Sequence, residues 1–395
     1  MIIGMAKHTK KGGEKRGGII SVILIRIVIT AAATLLLLII ALYGVMLILT
    51  RGPSETTKRL FVMTVKETSA GGFLAHMCLS SDEIDEIMSV KMSAADQTGN
   101  NITDRNLISL PADGNSTGNI GTSAETGENL INAVSDESGA DEPNSAGVEE
   151  GGGSETILPD DKSSETSDGI EIKEIKGDTY NGVMMIVHDP KRVFIGVPDK
   201  YGDDAAGLSL KSLIEKYGAC GGTNAGGFID IGGMGNGGKP LGPVIKNGEI
   251  IWGDSDKSYS MIGFDSDGIL HVGTMSCNSA IAAGVKEAVC FGPALIINGT
   301  PCNSSGILSG GLNPRTAIGQ RRDGAVMLLV VNGRSIGSLG ATLDDLVDIM
   351  MSNDAVNASN LDGGASSLMM FNGETLNNSA YVYGERILPN AILVR

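Results

Sequence analysis

Hydrophobic and polar positions are segregated along this chain into blocks of different period. Residues 27–49 form an uncharged, almost wholly apolar run of 23 positions, which as a helix would extend roughly 35 Å, enough to cross a bilayer core. Residues 54–91 follow a helical pattern. Ser80 with Glu83 makes a capping-box signature ahead of Ile84, Ile87 and Met88 at helical spacing. Residues 93–168 lose periodicity altogether. Between Lys91 and Lys162 the single basic residue is Arg105, set among Ser, Thr, Asn, Gly, Asp and Glu, with too little apolar surface to offset the entropy of ordering. From Gly169 onward short β-prone runs alternate with turn signals. The Asn-Gly or Asp-Gly pairs at 247–248, 267–268, 323–324, 332–333 and 372–373 predict hairpins. Two stretches read as helices. Residues 209–217 start at a Ser209 cap and stop at Gly218, and residues 342–351 put Leu343, Leu346, Val347 and Met350 on one face.

These blocks predict an α+β fold of antiparallel or mixed β-sheets with a few packed helices, preceded by one transmembrane helix and a disordered tether. The expected division is a basic cytoplasmic tail at 1–18, a transmembrane signal anchor at 19–49 and a juxtamembrane helical stalk at 50–92. A disordered acidic linker at 93–168 follows, giving reach away from the membrane. The folded domain then occupies 169–395, large enough for a sizeable single core. Lys7, Lys10, Lys11, Lys15 and Arg16 precede the apolar run. They favour a cytoplasmic N-terminus and a domain outside the cytoplasm. Sixteen uncharged residues continue beyond Ala31-Ala32-Ala33, so the run reads as a retained anchor rather than a cleaved signal.

A formal charge of −16 disfavours nucleic acid as a partner, because phosphate neutralisation needs clustered Lys and Arg. The five cysteines (78, 220, 277, 290 and 302) include no C-x-x-C pair, and the four histidines are scattered. No metal and no cofactor is expected. The cysteines of the folded domain read as free buried thiols, with one or two disulfides as the alternative.

The two helices of the folded domain lead into similar sequences. The first runs through Ala219 to Asn224 and Gly226-Gly227, the second through Ala355 to Asn360, Asp362 and Gly363-Gly364. Two related helix–strand–Asn–Gly-Gly units follow, whose glycine loops either converge on one cleft or merely leave their strands as tight turns. Asn313-Pro314-Arg315-Thr316 adds an arginine and a hydroxyl at a strand start, and Asp362 is trailed by Ser366 and Ser367. A guanidinium suits phosphate, so anion binding competes with a purely structural reading in which Asp362 is a turn residue and the serines cap the next element. A serine nucleophile fits poorly, since the Gly-x-Ser-x-Gly elbow is absent.

Four segments in this order, Asn224-Ala-Gly-Gly-Phe228, Phe291-Gly-Pro-Ala-Leu-Ile-Ile-Asn-Gly299, Pro314-Arg-Thr-Ala-Ile-Gly319 and Asn360-Leu-Asp-Gly-Gly-Ala-Ser-Ser367, resemble the phosphodiester glycosidase family over residues 169–395. Ala365 stands where many relatives carry glycine or serine. The resemblance implies hydrolysis of a sugar-1-phosphodiester at the anomeric carbon, with a phosphorylated glycan of the cell envelope as partner and the membrane contacted through residues 27–49. Arg315 and Thr316, with the amides of Gly226, Gly227, Gly363 and Gly364, would hold the phosphate. Asp362 would be nucleophile or base, with Asp230 or Glu374 as a second carboxylate. Asn224, Asn298 and Asn360 would contact sugar hydroxyls or hold Asp362, and Ser366 and Ser367 would complete the wall. The competing class is a non-catalytic module that grips an anionic glycan near the membrane.

Overall fold

The computed structural model describes residues 14–66, 72–84, 87, 103–110, 163–166, 168–230, 235–302, 311–381 and 384–395. The tail at 1–13 and most of the expected linker, residues 93–102, 111–162 and 167, lie outside the described residues, as does Met88. The N-terminal helix α1 (Glu14–Arg51) contains one stretch, Ile23–Arg51, long and apolar enough to cross a membrane. Two short helices follow, α2 (Glu55–Lys66) and α3 (Gly72–His76). They share a small core of Val62, Met63, Ala75, Leu79, Ile84 and Ile87. Ser80 and Glu83 form the reciprocal bonds of the expected capping box, Ser80 N–H donating to Glu83 Oε2 (2.9 Å) and Glu83 N–H to Ser80 Oγ (3.3 Å).

The folded domain opens with β1 (Ser163–Thr166), β2 (Ile170–Lys176), β3 (Asn181–Val187) and β4 (Val193–Gly196). Next come β5 (Leu208–Ser209), α4 (Leu210–Tyr217), β6 (Gly221–Asn224), β7 (Val244–Lys246), β8 (Glu249–Trp252), β9 (Tyr259–Asp265) and β10 (Leu270–Met275). A helix α5 (Cys277–Ala282) leads to β11 (Val285–Cys290), β12 (Ala294–Ile297), β13 (Thr300–Pro301), β14 (Arg315–Arg321) and β15 (Val326–Val331). The chain ends with α6 (Leu343–Ser352), β16 (Ala355–Leu361), β17 (Met369–Phe371), β18 (Glu374–Thr375), β19 (Ile387–Leu388) and β20 (Ala391–Val394). An eight-stranded sheet has the order β1-β2-β3-β15-β14-β16-β12-β13, and two five-stranded sheets run β10-β9-β11-β7-β8 and β18-β17-β6-β20-β4. Every described pairing between strands is antiparallel, including β14 with β16 (Thr316 opposite Leu361) and β6 with β20 (Asn224 opposite Ala391).

Side-chain alternation explains the layering. On β15, Val326, Leu328 and Val330 face one core, where the eight-stranded sheet packs on Val244, Ile262, Val289, Met369 and Ile392 of the other two sheets. Met327, Leu329 and Val331 face the opposite core, under Leu343, Leu346 and Met350 of α6. Helices α4 and α5 cover the outer faces of the five-stranded sheets. The middle of the large sheet is therefore buried on both sides, which is why β15 and most of its neighbour β3 are continuously apolar.

Local chemistry sets the helix ends. Ser209 Oγ accepts from Ser212 N–H, and Gly218 closes α4 in the left-handed region at φ 61°. Thr342 caps α6 with a full capping box to Asp345. Four of the five expected hairpin tips join paired strands. Asn332-Gly333 is the exception. It leaves β15 for a loop, and a methyl group at Gly333 would collide with Pro314; the glycine serves close approach, not a hairpin. Helix α5, capped by Ser276, is too short to register as a periodic pattern. Inside the span expected as linker, residues 103–110 lie on the folded domain. Thr103 is buried, Asp104 N–H donates to Asn298 Oδ1 (2.8 Å), Ser109 N–H donates to Arg322 O (2.7 Å) and Arg105 pairs with Asp265 (2.8 Å) and Asp267 (2.5 Å). All five cysteines are free.

Candidate active site

The two helix–strand–Asn–Gly-Gly units meet backbone to backbone. Strand β6 ends at Asn224 in one sheet and β16 ends at Leu361 in another, and Asp362 N–H donates to Ala225 O across the junction (2.9 Å). Asn224 is fully buried behind this seam. Its Nδ2 donates to Asp362 O (2.5 Å), while its Oδ1 accepts from Thr316 Oγ1 (2.9 Å) and from Leu368 N–H (3.1 Å). Thr316 Oγ1 also lies 3.2 Å from Ser367 Oγ. The amide side chain thus ties four segments together, and removing it would strand several buried polar groups at once.

In front of the seam lies a pocket of about 300 Å³. Asp230, Arg315, Arg334, Asn360, Asp362, Gly363, Gly364, Ser366 and Arg386 supply its polar wall, and Phe228, Leu241, Phe291, Pro293 and Leu343 supply apolar surface. Burial pushes the Asp362 carboxyl up to about 6, with the Asp230 charge adding to the rise, against the opposing pull of the Ser366 hydroxyl, Arg386 and the Gly363 amide. Asp230 Oδ1 accepts from Gly235 N–H (2.6 Å) and its Oδ2 pairs with Arg386. The Arg386 guanidinium is almost fully buried between the rings of Phe228 (4.8 Å) and Tyr381 (5.1 Å). Arg315 donates through Nε to Ala341 O (3.1 Å) and through Nη2 to Gly311 O (2.7 Å), so its fork is aimed by two carbonyls. Arg334 donates to Asn313 Oδ1 (3.1 Å) and lies over Gly364, whose φ of 62° needs the left-handed region. Asn360 Nδ2 donates to Gly292 O (2.8 Å). Its buried Oδ1 has no partner among the described residues.

Of the residues expected from sequence, Asp362, Arg315, Asp230, Asn360, Gly363, Gly364 and Ser366 line this pocket. Asn224, Thr316 and Ser367 stand behind its wall, and Gly226 is bound through its N–H to Asn390 Oδ1 (2.6 Å). Gly227 packs under the Phe291 ring, where a side chain would clash. Two residues fall elsewhere. Asn298 sits at the β12–β13 turn against Asp104, and Glu374 is exposed on β18. Arg386 and Arg334 escaped sequence reasoning. Arg386 lies in an ordinary Gly-Glu-Arg-Ile-Leu context and Arg334 follows a hairpin-like Asn-Gly, so only the tertiary fold brings them to the site. His271 is buried against Asp265 (3.0 Å) and is absent from the pocket lining. Among the described residues no group of three or more His, Cys, Asp and Glu is placed to hold a metal ion.

The family model for phosphodiester glycosidase matches residues 217–395, which span this whole pocket. This match to the phosphodiester glycosidase family covers just under half of the chain. The SPbeta prophage-derived uncharacterized protein YomE of Bacillus subtilis (strain 168) is 32% identical over 161 residues, covering 38% of this chain and 25% of that protein. N-acetylglucosamine-1-phosphodiester alpha-N-acetylglucosaminidase of Mus musculus is 24% identical over 222 residues, 51% of this chain and 42% of that enzyme. Among solved structures, the catalytic domain of the zebrafish enzyme of the same name gives a TM-score of 0.47 at 19% identity, over 61% of this chain and 85% of that one. The chain spans less than half the length of the curated relatives it matches. The phosphodiester glycosidase domain supports a glycosidase-type hydrolytic function.

Proposed function

We propose that the protein is a membrane-anchored, extracytoplasmic glycosidase that hydrolyses sugar-1-phosphodiester bonds of envelope glycans at the anomeric carbon. The observation that carries this reading is the charge of the pocket. Three arginines (315, 334 and 386) against two carboxylates (230 and 362) leave one net positive charge in a chain of net −16, which suits a phosphodiester monoanion. The mouse relative is named for a sugar-1-phosphodiester substrate. Phe228, Phe291 and Pro293 offer an apolar face to a sugar ring.

Asp362 acts as general base. It takes a proton from water, the water oxygen bonds to the anomeric carbon, and the bond from that carbon to the phosphate oxygen breaks with its electron pair leaving on phosphate. The products are a free sugar and a phosphomonoester. The arginines stabilise the charge that grows on the phosphate, so a strong acid on the leaving oxygen is not needed. The Ile23–Arg51 stretch of α1 is the anchor, with the basic tail on the cytoplasmic side. The segment 50–92 is its stalk.

The test uses the full chain and uridine diphosphate N-acetylglucosamine in ¹⁸O-labelled water. Label in the released sugar, lost in Asp362→Asn, is expected. Label in phosphate would make the protein a phosphodiesterase. Binding without turnover on a sugar-1-phosphodiester panel would make it a glycan-binding module. Retention of configuration in the first-formed sugar would convert Asp362 from base to nucleophile.

A further inference from the structure

We infer that the juxtamembrane helix α2 is a positioning element of the catalytic pocket, setting the phosphate-facing arginine Arg315 through the carbonyl of Gly311; this rests on the phosphate role proposed above for Arg315. The two carbonyls that aim the Arg315 fork come from different parts of the molecule. Ala341 O belongs to the folded domain's own bridge, in which Asn313 and Ala341 exchange backbone bonds (3.3 and 3.0 Å). Gly311 O belongs to the loop before β14, seated on α2. Leu312 N–H donates to Thr64 Oγ1 (2.9 Å), and that hydroxyl donates in turn to Leu60 O within the helix (2.7 Å). Gly311 lies so close to the Thr64 backbone that a methyl group there would overlap it. Any other residue at 311 would push the helix off or carry the carbonyl away from Arg315.

The helix is itself held at the end of the apolar span. Arg51, the last residue of α1, pairs with Glu83 (2.9 Å), which also meets Lys58 of α2 (3.9 Å). Met46 and Thr50 are buried, and Val62 and Met63 of α2 lie in the small helical core. A continuous series of contacts therefore joins the membrane-side helix to Arg315: the Arg51–Glu83 pair, α2, Thr64, the Gly311–Leu312 backbone and the guanidinium. A catalytic domain cut free of residues 55–66 keeps Asp362 and its seam but loses the helix that seats the Gly311 carbonyl against this arginine.

The experiment compares the full chain in detergent with Thr64→Val, which removes the hydroxyl at nearly constant shape, and Thr64→Ser, which restores it. Thr64→Val is expected to lower kcat/KM for a sugar-1-phosphodiester about tenfold, because Arg315 grips the phosphate both in the bound substrate and as its charge grows. Inhibition by the phosphomonoester product should weaken by the same factor, while inhibition by free N-acetylglucosamine stays unchanged. Thr64→Ser should match the parent. Hydrogen exchange at the Leu312 amide should quicken in Thr64→Val alone. Faster exchange with unaltered phosphate inhibition would overturn the inference, and so would unaltered exchange. If the parent chain turns over no sugar-1-phosphodiester, the proposed activity fails by itself. Titration of parent and Thr64→Val with inorganic phosphate then decides the positioning role, and equal binding, or none, overturns it.

Discussion

Replacing Asp362 by asparagine should abolish turnover and at the same time make the protein more stable at neutral and alkaline pH. The carboxyl sits at the meeting of two sheets, where burial raises it from 3.8 to about 6. A raised acid favours its protonated form in the folded state, so the ionised form is a liability that the unfolded chain does not share. The penalty is absent below the unfolded value, grows as pH rises between about 4 and 6, and is complete above the folded value. Its full size follows from the rise, about 3 kcal/mol. Asparagine keeps the shape and an acceptor for Ser366 but carries no charge. For a domain of this size the gain corresponds to a melting shift of roughly 6–12 °C at pH 8, shrinking to under about 1 kcal/mol at pH 4. Thermal unfolding of parent and variant at pH 4, 6 and 8 measures this directly. Equal stability at pH 8, or a gain that does not fade on acidification, would refute the reasoning. The companion observation is a pH–rate profile in which kcat/KM climbs through about pH 6 and then levels, as a base that must be ionised demands.

Arg386→Met should lower kcat/KM at least 100-fold and destabilise the protein by about 2 kcal/mol, because it leaves the partly buried Asp230 without its ion pair; adding Asp230→Asn should recover most of the stability but none of the activity. Asn224→Ala should cost about 3 kcal/mol or more in denaturant unfolding, since Thr316, Leu368 and the Asp362 carbonyl all lose a buried partner. Glu374→Gln should leave kcat/KM within about twofold, because the exposed β18 hairpin stands away from the pocket; a large loss would restore Glu374 as a catalytic candidate.

What sequence disclosed here was the chemistry that acts over a few residues. Ser209, Gly218 and Thr342 mark helix ends because a side-chain oxygen or a left-handed backbone satisfies groups one turn away. Asn-Gly and Asp-Gly tips mark hairpins for the same local reason. The signal misled at Asn332-Gly333, where the glycine answers to Pro314, nineteen residues distant in sequence. Asp362 and Gly363-Gly364 were visible because their turn carries more polar groups than a hairpin needs. Arg386 and Arg334 were not, since a lone arginine in a loop has no local pattern and gains its role from Asp230, Phe228 and Gly364 across the fold. The polar stretch around Arg105 reads as linker by composition. Its attachment depends on Asp265 and Asp267, a hairpin turn more than 150 residues away.

The repeated helix–strand–Asn–Gly-Gly pattern shows why one carboxylate can be placed so closely by a fold of many short strands. Each unit alone ends in a flexible glycine pair, and neither would fix a side chain by itself. Their junction does, because Asp362 is bound through its own N–H to Ala225 and through its carbonyl to Asn224. The Asp362 carboxyl therefore hangs between sheets rather than on one of them. Its position is set by the apolar packing of β15, β16 and β20 in the shared core, and the cost of its charge is eased by the Ser366 hydroxyl, Arg386 and the Gly363 amide. A carboxylate placed this way has little freedom to relax, which preserves the raised affinity for its proton.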